Sequence, residues 1–463
     1  MFTSKRDLPS PTASKPTNVR YVMILLATLV AVLLYLDRIC LSTAAVAVME
    51  DLKIDRPTLD WLLGAFFWTY ALGQLPAGWL SDRLGARWML ATYVVLWSLS
   101  TGLMGLVFLL PPAYWLLAMF ALRAATGLFE AGAYPTAASI VRRWVPLERR
   151  GIASSVIAVG GRVGGALTPI LTINLMLWWT FGNDFWTLAD DARASASSWR
   201  PVMILYGLAG IAIAAIFVLY FRDWPDRHPK VNDAEVDLIR RADPRPNAVV
   251  KGSYAPPIVE MISSFPMWMN CFVQFSANLA WAFLVTSMPM YLGEVHGASQ
   301  KSQGWLQSLP LFAGIFGLLM GGMFTDFFTK SLGLRWGRSV TMCASRVIVG
   351  LAFVGCLMVD NPLAAALCLT LVGFATDLGT GAVWAYGQDV GGKHVGSVVG
   401  WGNMWGNFGA ALSPVLLGII VRRFAEPEDG WRAAFLALAL LQILAAAAAL
   451  GVNASRPLRA ENH

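Results

Sequence analysis

The chain has 463 residues, of which 57% are hydrophobic and only 14% are charged. Soluble domains carry about 25% charged residues, and a mean hydropathy of +0.57 exceeds what a globular core can hide. The net charge of +7 is dispersed over loops, which argues against nucleic acid as a partner. These values exclude an ordinary soluble domain and indicate a chain that folds in lipid.

Apolar segments long enough to cross a bilayer recur along the chain, since about 20 helical residues span a hydrocarbon core about 30 Å thick. The predicted spans are 20–48, 58–80, 88–110, 113–141, 151–177, 200–221, 265–291, 303–328, 339–359, 363–389, 395–421 and 431–452. The sequence therefore predicts an all-α membrane protein with twelve transmembrane helices.

The basic residues of the loops predict the orientation of these spans, because Lys and Arg near span ends stay in the cytoplasm. With a cytoplasmic N-terminus, the inner side holds Arg83, Arg87, Arg142, Arg143 and most of 222–251, and the outer side holds fewer basic residues. We therefore expect a multi-pass protein of the inner (plasma) membrane with both termini in the cytoplasm.

The distribution of apolar and polar segments predicts five units along the chain. The expected units are a disordered cytoplasmic tail (1–19), an N-terminal six-helix bundle (20–221), a polar cytoplasmic linker (222–264), a C-terminal six-helix bundle (265–452) and a cytoplasmic tail (453–463).

Two separate features repeat at nearly the same offset in the two bundles. Asp82, between spans 2 and 3, and Asp326, between spans 8 and 9, are 244 residues apart. Pro169 and Pro414, which end similar Gly-Ala-Ala or Gly-Gly-Ala segments of spans 5 and 11, are 245 residues apart. This repetition predicts two pseudo-symmetric six-helix bundles related by an axis along the membrane normal.

A few charged residues fall inside the predicted spans, where each costs at least about 2.5 kcal/mol near the centre of a helix. They are Asp37, Arg38, Arg123, Glu130, Arg162, Arg346 and Asp377. Arg346 lies about two turns from a span end, so we expect its side chain to reach toward the interface. The remaining charges are candidates for function.

Arg123 and Glu130 are seven residues apart, which places both on one face of span 4. Together with Asp37 and Arg38 of span 1 they form a predicted cluster of two bases and two acids. Guanidinium groups bind carboxylates, and a carboxylate in a low-dielectric cavity exchanges protons near neutral pH. The cluster therefore predicts either a site that couples an organic anion to protons or a static ion-pair network between the two spans.

Arg162 and Asp377 lie near the centres of spans 5 and 10, in different halves. Two interpretations remain open. In the first, Arg162 and Asp377 form an ion pair with each other across the halves. In the second, Arg162 binds a second anionic or polar group of the substrate.

The loop after span 2 contains Gly78, Asp82, Arg83, Gly85 and Arg87. Their spacing and location resemble the loop motif of the major facilitator superfamily, and a second copy keeps Asp326. By this resemblance the motif forms a cytoplasmic gate in which Asp82 docks on span 11 when the gate is shut. The alternative is a solvated turn whose basic residues serve only to keep this loop in the cytoplasm.

Within that superfamily the chain resembles the anion:cation symporter family, which includes galactonate, glucarate and hexuronate transporters. The resemblance rests on Tyr35-Leu-Asp37-Arg38, on the segment from Arg123 through Glu130 to Pro135, and on the segment from Arg143 to Gly151. It implies Arg38 and Arg123 as anion contacts and Asp37 and Glu130 as protonatable groups. The other candidate substrate contacts are Tyr35, Tyr70, Gln274, Asn278, Trp384, Asn403 and Arg162, and Asp377 is a third candidate for proton coupling.

We therefore expect a monomeric secondary transporter that carries a small organic anion such as a sugar acid together with a proton, surrounded by membrane lipid, by alternating access. Phosphate, a dicarboxylate, sodium coupling and a non-transporting sensor remain alternatives. An enzyme is not expected, because the four histidines lie in loops or the tail and motifs such as HExxH or a P-loop do not occur. The five cysteines show no metal-ligand spacing, so we expect neither metal nor cofactor.

Overall fold

The structure is a computed structural model that describes residues 15–182, 184, 194–241, 256–298 and 300–458. Parts of the predicted tails and of the predicted linker, at 1–14, 242–255 and 459–463, lie outside the described residues. The described chain is helical. Its α-helices are α1 Val19–Thr43, α2 Ala45–Leu52, α3 Arg56–Leu84, α4 Ala86–Met104, α5 Trp115–Glu130, α6 Ala133–Trp144, α7 Arg150–Phe181, α8 Trp199–Tyr220, α9 Asp233–Arg241, α10 Ile258–Ser263, α11 Phe265–Thr286, α12 Met288–Glu294, α13 Gln300–Gly355, α14 Pro362–Leu378, α15 Thr380–Val390, α16 Val395–Val421 and α17 Pro427–Leu450.

Each predicted span coincides with one or two of these helices. Eight helical segments of the described chain are long and apolar enough to cross a membrane. One of them, Leu306–Met358, covers most of two predicted spans, because α13 continues across the non-helical residue Gly333. A multi-pass membrane protein is therefore confirmed, whereas the number of twelve helices stays a prediction.

The buried apolar residues form separate clusters in the two parts of the chain. The clusters around Trp97 and Trp199 contain buried residues from 23–221, and the cluster around Phe283 contains buried residues from 279–439. The two halves meet mainly through α3 against α16 and α7 against α13. This arrangement puts the predicted charged cluster and the candidate residues of the second half near a shared interface.

The turn after Asp82 is repeated more closely than the sequence analysis indicated. Gly85 and Gly333 both have positive φ, 91° and 79°, and each is followed two residues later by an arginine that lies over the next residue, a tryptophan. Glycine adopts this backbone conformation without steric cost. Gly85 is three residues after Asp82 and Gly333 is seven after Asp326, so the second copy carries about one extra helical turn.

Predicted spans 4 and 10 break at equivalent points. α5 ends at Glu130 and α6 begins after Gly132, while α14 ends at Leu378, directly after Asp377, and α15 begins after Gly379. Each acid thus stands two residues before the glycine of the break. Asp377 is the structural counterpart of Glu130, a relation that the repeated acid-x-Gly pattern would have revealed in the sequence.

Candidate functional site

The first charged contact of the site joins α1 to α5. Arg38 donates from Nε and Nη2 to Glu130 Oε2, at 3.2 and 3.1 Å. The Glu130 side chain is fully buried, while the Arg38 side chain keeps 15% of its surface exposed. The partner of Glu130 is therefore Arg38 of the neighbouring helix, and both bonds go to one carboxylate oxygen. Glu130 Oε1 has no partner among the described residues.

Arg123 lies in the same cluster but is not bonded to Glu130. Its Nη2 donates to the carbonyl oxygen of Arg38 at 3.0 Å, and its guanidinium lies 4.6 Å from the centre of the Phe66 ring. Arg123 Nε and Nη1 are buried and lack a hydrogen-bond partner in the described part of the chain. Since buried donors are normally paired, these two are suited to receive a ligand acceptor.

Asp37 is hydrogen-bonded to α4 and not to either of the two arginines. Its Oδ2 accepts a hydrogen bond of 3.0 Å from Trp97 Nε1, and its Oδ1 has no partner among the described residues. The side chain is fully buried. A buried carboxylate with one neutral donor is costly to ionise, which suits a group that takes up a proton.

Aromatic rings enclose the Arg38 guanidinium. Its Cζ lies 4.4 Å from the ring centre of Tyr70 and 5.1 Å from those of Tyr35 and Phe66. Tyr70 itself is buried and stacks on Phe66 at 5.5 Å. Sequence reasoning found the two tyrosines and missed Phe66, which has no polar atom to mark it.

The candidate residues of the second half lie on α11, α15 and α16. Asn403 donates from Nδ2 to Gln74 Oε1 of α3 at 3.1 Å, which joins the halves. Gln274 and Asn278 pack against Gly402 and Gly406 of α16, and Trp384 contacts Tyr134 of the first half at 4.8 Å between ring centres. Gln74, a fully buried amide in a predicted span, was missed, although a polar residue in an apolar span is a recognisable signal.

Arg162 and Asp377 are in direct contact. Arg162 Nη2 lies 2.9 Å from Asp377 Oδ1, and the guanidinium lies 5.0 Å from the ring centre of Trp281. The pair thus connects α7 of the first half with α14 and α11 of the second.

The expectation that Arg346 reaches toward the interface is wrong. Its side chain is buried and donates to Gln442 Oε1 at 3.2 Å, Ser345 Oγ at 2.7 Å and the Thr376 carbonyl oxygen at 3.0 Å. Three polar acceptors inside the second half thus satisfy this cation, and one of them belongs to Thr376, the residue before Asp377.

Asp82 joins the halves at the predicted cytoplasmic end. Its carboxylate accepts from the backbone N–H groups of Gly396 and Ser397, at 2.8 and 2.7 Å, and from Ser397 Oγ at 2.7 Å. These donors form the first turn of α16, where a carboxylate is favoured by the helix dipole. Gly78 allows the approach, since a Cβ there would lie 2.1 Å from the Gly396 oxygen.

Asp326 makes the equivalent contact in the opposite direction. Its two carboxylate oxygens accept from the N–H groups of Gly151 and Ile152, both at 3.1 Å, at the start of α7. Each half therefore caps a helix of the other half with an aspartate. In this structure the predicted cytoplasmic end is closed.

The other motif residues have different surroundings. Arg87 donates to the Val218 carbonyl oxygen at 3.0 and 2.7 Å, and its backbone N–H donates to Asp223. Arg83 is exposed and lies over Trp79, and Gly85 forms the break between α3 and α4. These residues hold the motif on its own half, while Asp82 reaches the other half.

A buried charge network that sequence reasoning missed completes the closed end. Asp389 accepts from Arg150 at 3.2 Å and from Arg338 at 3.0 Å, and Arg142 donates to the Gln388 carbonyl oxygen at 2.7 Å. Arg142 and Arg150 belong to the first half and Asp389 to the second. The sequence does not indicate these contacts, because residues 51 to 246 positions apart that meet between packed helices leave no local pattern.

The family of the chain follows from a match that covers most of its length. Residues 27–414 match the Major Facilitator Superfamily, and a second, overlapping match covers 270–462. The chain belongs to this superfamily. The predicted resemblance is therefore confirmed, and with it the prediction of a transporter rather than an enzyme.

The relatives are transporters of organic acids by name. The chain is 29% identical over 433 residues to the probable galactarate/D-glucarate transporter of Bacillus subtilis, covering 90% of this chain and 89% of the relative. It is 28% identical to the probable sulfoacetate transporter of Cupriavidus necator, covering 88% of each. It is 24% identical to the hexuronate transporter of Escherichia coli, covering 96% of each.

Solved structures share the fold. The proton:xylose symporter XylE superimposes with a TM-score of 0.66 at 14% identity, covering 92% of this chain and 94% of that chain. The fucose:proton symporter FucP of E. coli gives 0.63 at 13% identity, covering 91% and 98%. At these identities the likeness establishes the major facilitator fold alone.

Proposed function

We propose that this superfamily member is a proton-coupled symporter of a sugar-acid anion that works by alternating access, as a monomer in the inner membrane with both termini in the cytoplasm. The observation that carries the proposal is the contact of Arg38 with Glu130 beside the unpaired donors of Arg123. Relatives named for galactarate, glucarate and hexuronate support the substrate class.

The cluster supplies donors for one carboxylate. Arg123 Nε and Nη1 are unpaired among the described residues, and the Arg38 guanidinium is partly exposed within a ring of aromatic side chains. Charge-assisted hydrogen bonds of this kind contribute about 1.5 to 3 kcal/mol each. Tyr35 beside Arg38, and Gln274, Asn278, Asn403 and Trp384 of the second half, are proposed contacts for the hydroxyl groups and carbon chain.

Competition for Arg38 would couple the anion to a proton. With Glu130 ionised, its carboxylate occupies Arg38, and a substrate anion would have to compete with it. A proton on Glu130 removes that competitor and lets Arg38 bind the substrate carboxylate. Loss of the proton returns Glu130 to Arg38 and expels the anion. Binding of the proton and binding of the anion therefore favour each other by thermodynamic linkage.

The contacts of Asp82 and Asp326 would serve as the inner gate. Both join the halves through backbone N–H groups at helix starts, and both must break before the predicted cytoplasmic end can open. Such contacts contribute about 0.3 to 2 kcal/mol each, which is small enough to be reversed in every transport cycle. They fit rigid-body movement of one half against the other.

Uptake into proteoliposomes tests the proposal. Purified protein should accumulate radiolabelled galactarate when the lumen is alkaline, and a protonophore should abolish the accumulation. Accumulation driven by a sodium gradient at equal pH would replace the proton by sodium as the coupling ion. Tight binding of galactarate without uptake under either gradient would reject transport and indicate a sensor.

A further inference from the structure

The contact of Arg162 with Asp377 lies just above the closed end of the molecule. α7 contacts the second half from Gly151 to Ser155, and Arg162 follows Ser155 by two helical turns, about 10 Å. The Arg162 side chain keeps 17% of its surface exposed, close to the 15% of Arg38. Both arginine side chains therefore retain some open surface.

Around Arg162 the arrangement of Arg38 is repeated. Each arginine is held by one oxygen of the acid that precedes a helix break, Glu130 or its counterpart Asp377. Each guanidinium also lies over an aromatic ring, Tyr70 for Arg38 and Trp281 for Arg162. The two sites therefore share their chemistry although the arginines come from different helices.

Trp281 supplies a second observation that points to a ligand. Its Nε1–H is buried and has no hydrogen-bond partner among the described residues. Buried donors are rarely left unpaired, because the lost hydrogen bonds to water cost about 1 to 3 kcal/mol. An anionic group bound to Arg162 would provide the missing acceptor beside the guanidinium.

Tyr35 links this region to the first cluster. Its ring lies 5.1 Å from the Arg38 guanidinium and packs against Gly161, the residue before Arg162. Both arginines lie within electrostatic range of the Tyr35 hydroxyl. Both arginines therefore lie in the neighbourhood of one tyrosine, as two contacts for the two ends of a single small molecule require.

Asp377 would not be left without a cation if Arg162 turned to a ligand. Arg346 donates to the carbonyl oxygen of Thr376, the preceding residue, and lies within electrostatic range of Asp377. Removing the sole partner of a buried charge is strongly unfavourable, and a second cation reduces that penalty. Arg346 therefore lowers the cost of moving Arg162 from Asp377 to a substrate anion, and a proton on Asp377 would lower it further.

We propose that Arg162 and Trp281 form a second acid-group subsite, so that the protein selects a dianion with an acid group at each end. Asp377 holds Arg162 until the second acid group replaces it. This inference rests on the proposed anion symport and adds its substrate class, an aldarate or another short chain with two acid groups, in preference to a monocarboxylate.

Two sugar acids with the same carbon skeleton test the inference. Galactarate carries a carboxylate at both ends and galactonate at one end, so the ratio of their affinities isolates the second acid group. Binding is measured by isothermal titration of the purified protein. Arg162→Gln should lower the preference for galactarate over galactonate by about 10- to 100-fold, the worth of one charge-assisted hydrogen bond. Arg432→Gln, which removes an exposed arginine paired with Glu428 on α17, is the matched control and should leave both affinities unchanged.

A double variant separates the subsite from a structural pair. Arg162→Gln with Asp377→Asn strands no charge, so a structural pair predicts recovery of galactarate affinity. The subsite predicts the same loss as in Arg162→Gln alone, and Asp377→Asn alone should keep or increase galactarate affinity. Recovery in the double variant, or wild-type protein that prefers galactonate, overturns the subsite while leaving anion symport intact. Wild-type protein that binds neither sugar acid instead rejects the proposed function.

Discussion

At the scale of single residues, the charged side chains inside the helices bear most directly on function. Glu130 is fully buried and shares its arginine through one oxygen only, and its second oxygen has no partner among the described residues. A carboxylate held in this way is neither fully paired nor solvated. Small changes in its surroundings therefore decide whether it keeps its negative charge.

Glu130→Gln should separate accumulation from exchange. Gln imitates the protonated acid, so the variant should still bind and exchange preloaded galactarate while losing accumulation driven by a pH gradient. Both modes are measured in proteoliposomes that contain labelled substrate. Glu428→Gln, which changes an exposed acid on α17, should retain both modes. Accumulation by the Glu130 variant against a substrate gradient would exclude Glu130 as the coupling acid.

The sequence predicts which residues are unusual better than it predicts their partners. The spacing of Arg123 and Glu130 correctly indicated one helix face, because helical geometry relates residues seven apart. The spacing did not indicate the partner of Glu130 within the predicted cluster, which is Arg38 of α1. Contacts between helices depend on how the helices pack, and local periodicity carries no information about that.

At the scale of helices, the two aspartates that cap helix starts in the opposite half control how the halves meet. Asp82 and Asp326 each accept two backbone N–H groups, at α16 and α7. The Asp82 motif was recognisable from the sequence together with its relation to Asp326. The sequence also shows an insertion that displaces the basic residues of the second copy, but not that the insertion forms an extra helical turn before Gly333.

Asp82→Asn should weaken closure at the predicted cytoplasmic end. The amide loses the charge that favours the start of α16, a change of about 1 to 2 kcal/mol and roughly 5- to 30-fold in the population of the open form. Hydrogen exchange followed by mass spectrometry should show faster exchange in peptides that begin near Arg150 and Val395. Asp55→Asn is the control, since Asp55 caps α3 of its own half through Thr58 N–H. Equal exchange in wild type and the Asp82 variant would contradict a role in closure.

The linker helix α9 makes a comparable contact with the start of α1. Glu235 accepts from the backbone N–H groups of Val19 and Arg20, both at 3.1 Å, and from Arg20 Nη1 at 3.0 Å. Burial opposes ionisation of Glu235, but the hydrogen bonds from Thr17, Arg20 and Val19 outweigh it and lower its pKa. The contact therefore favours the ionised form.

Glu235→Gln should lower thermal stability in a pH-dependent way. A folded-state pKa below the usual value of 4.5 gives stability that is present above that value and is lost as pH falls through the folded-state pKa. The difference in Tm between wild type and variant should therefore be largest near pH 7 and decrease as pH falls below 4.5. Asp237→Asn, which changes an exposed acid of the same helix, is the control. A Tm difference that persists unchanged at low pH would contradict the ionised contact.

At the scale of the whole molecule, the two halves repeat the same helix breaks and capping aspartates but carry different charged side chains beside them. The offset between Asp82 and Asp326 revealed the duplication, and the structure extends it to the helix breaks after Glu130 and Asp377. The sequence could not indicate that Arg162 crosses from the first half to Asp377. That pairing exists only when the halves are packed together.

The pseudo-symmetry leads to a prediction about the number of protons carried. If Glu130 and Asp377 each release an arginine when protonated, a substrate with two acid groups replaces both acids, and each replacement is linked to one proton. Asp377→Asn cannot take up a proton, so its proton-to-galactarate ratio should fall by one while transport continues. The ratio is obtained in proteoliposomes from the pH gradient at which net flux of a fixed galactarate gradient stops. Asp360→Asn, an exposed acid between α13 and α14, should keep the wild-type ratio. An unchanged ratio in the Asp377 variant would mean that Asp377 leaves Arg162 in ionised form, with Arg346 as its remaining cation.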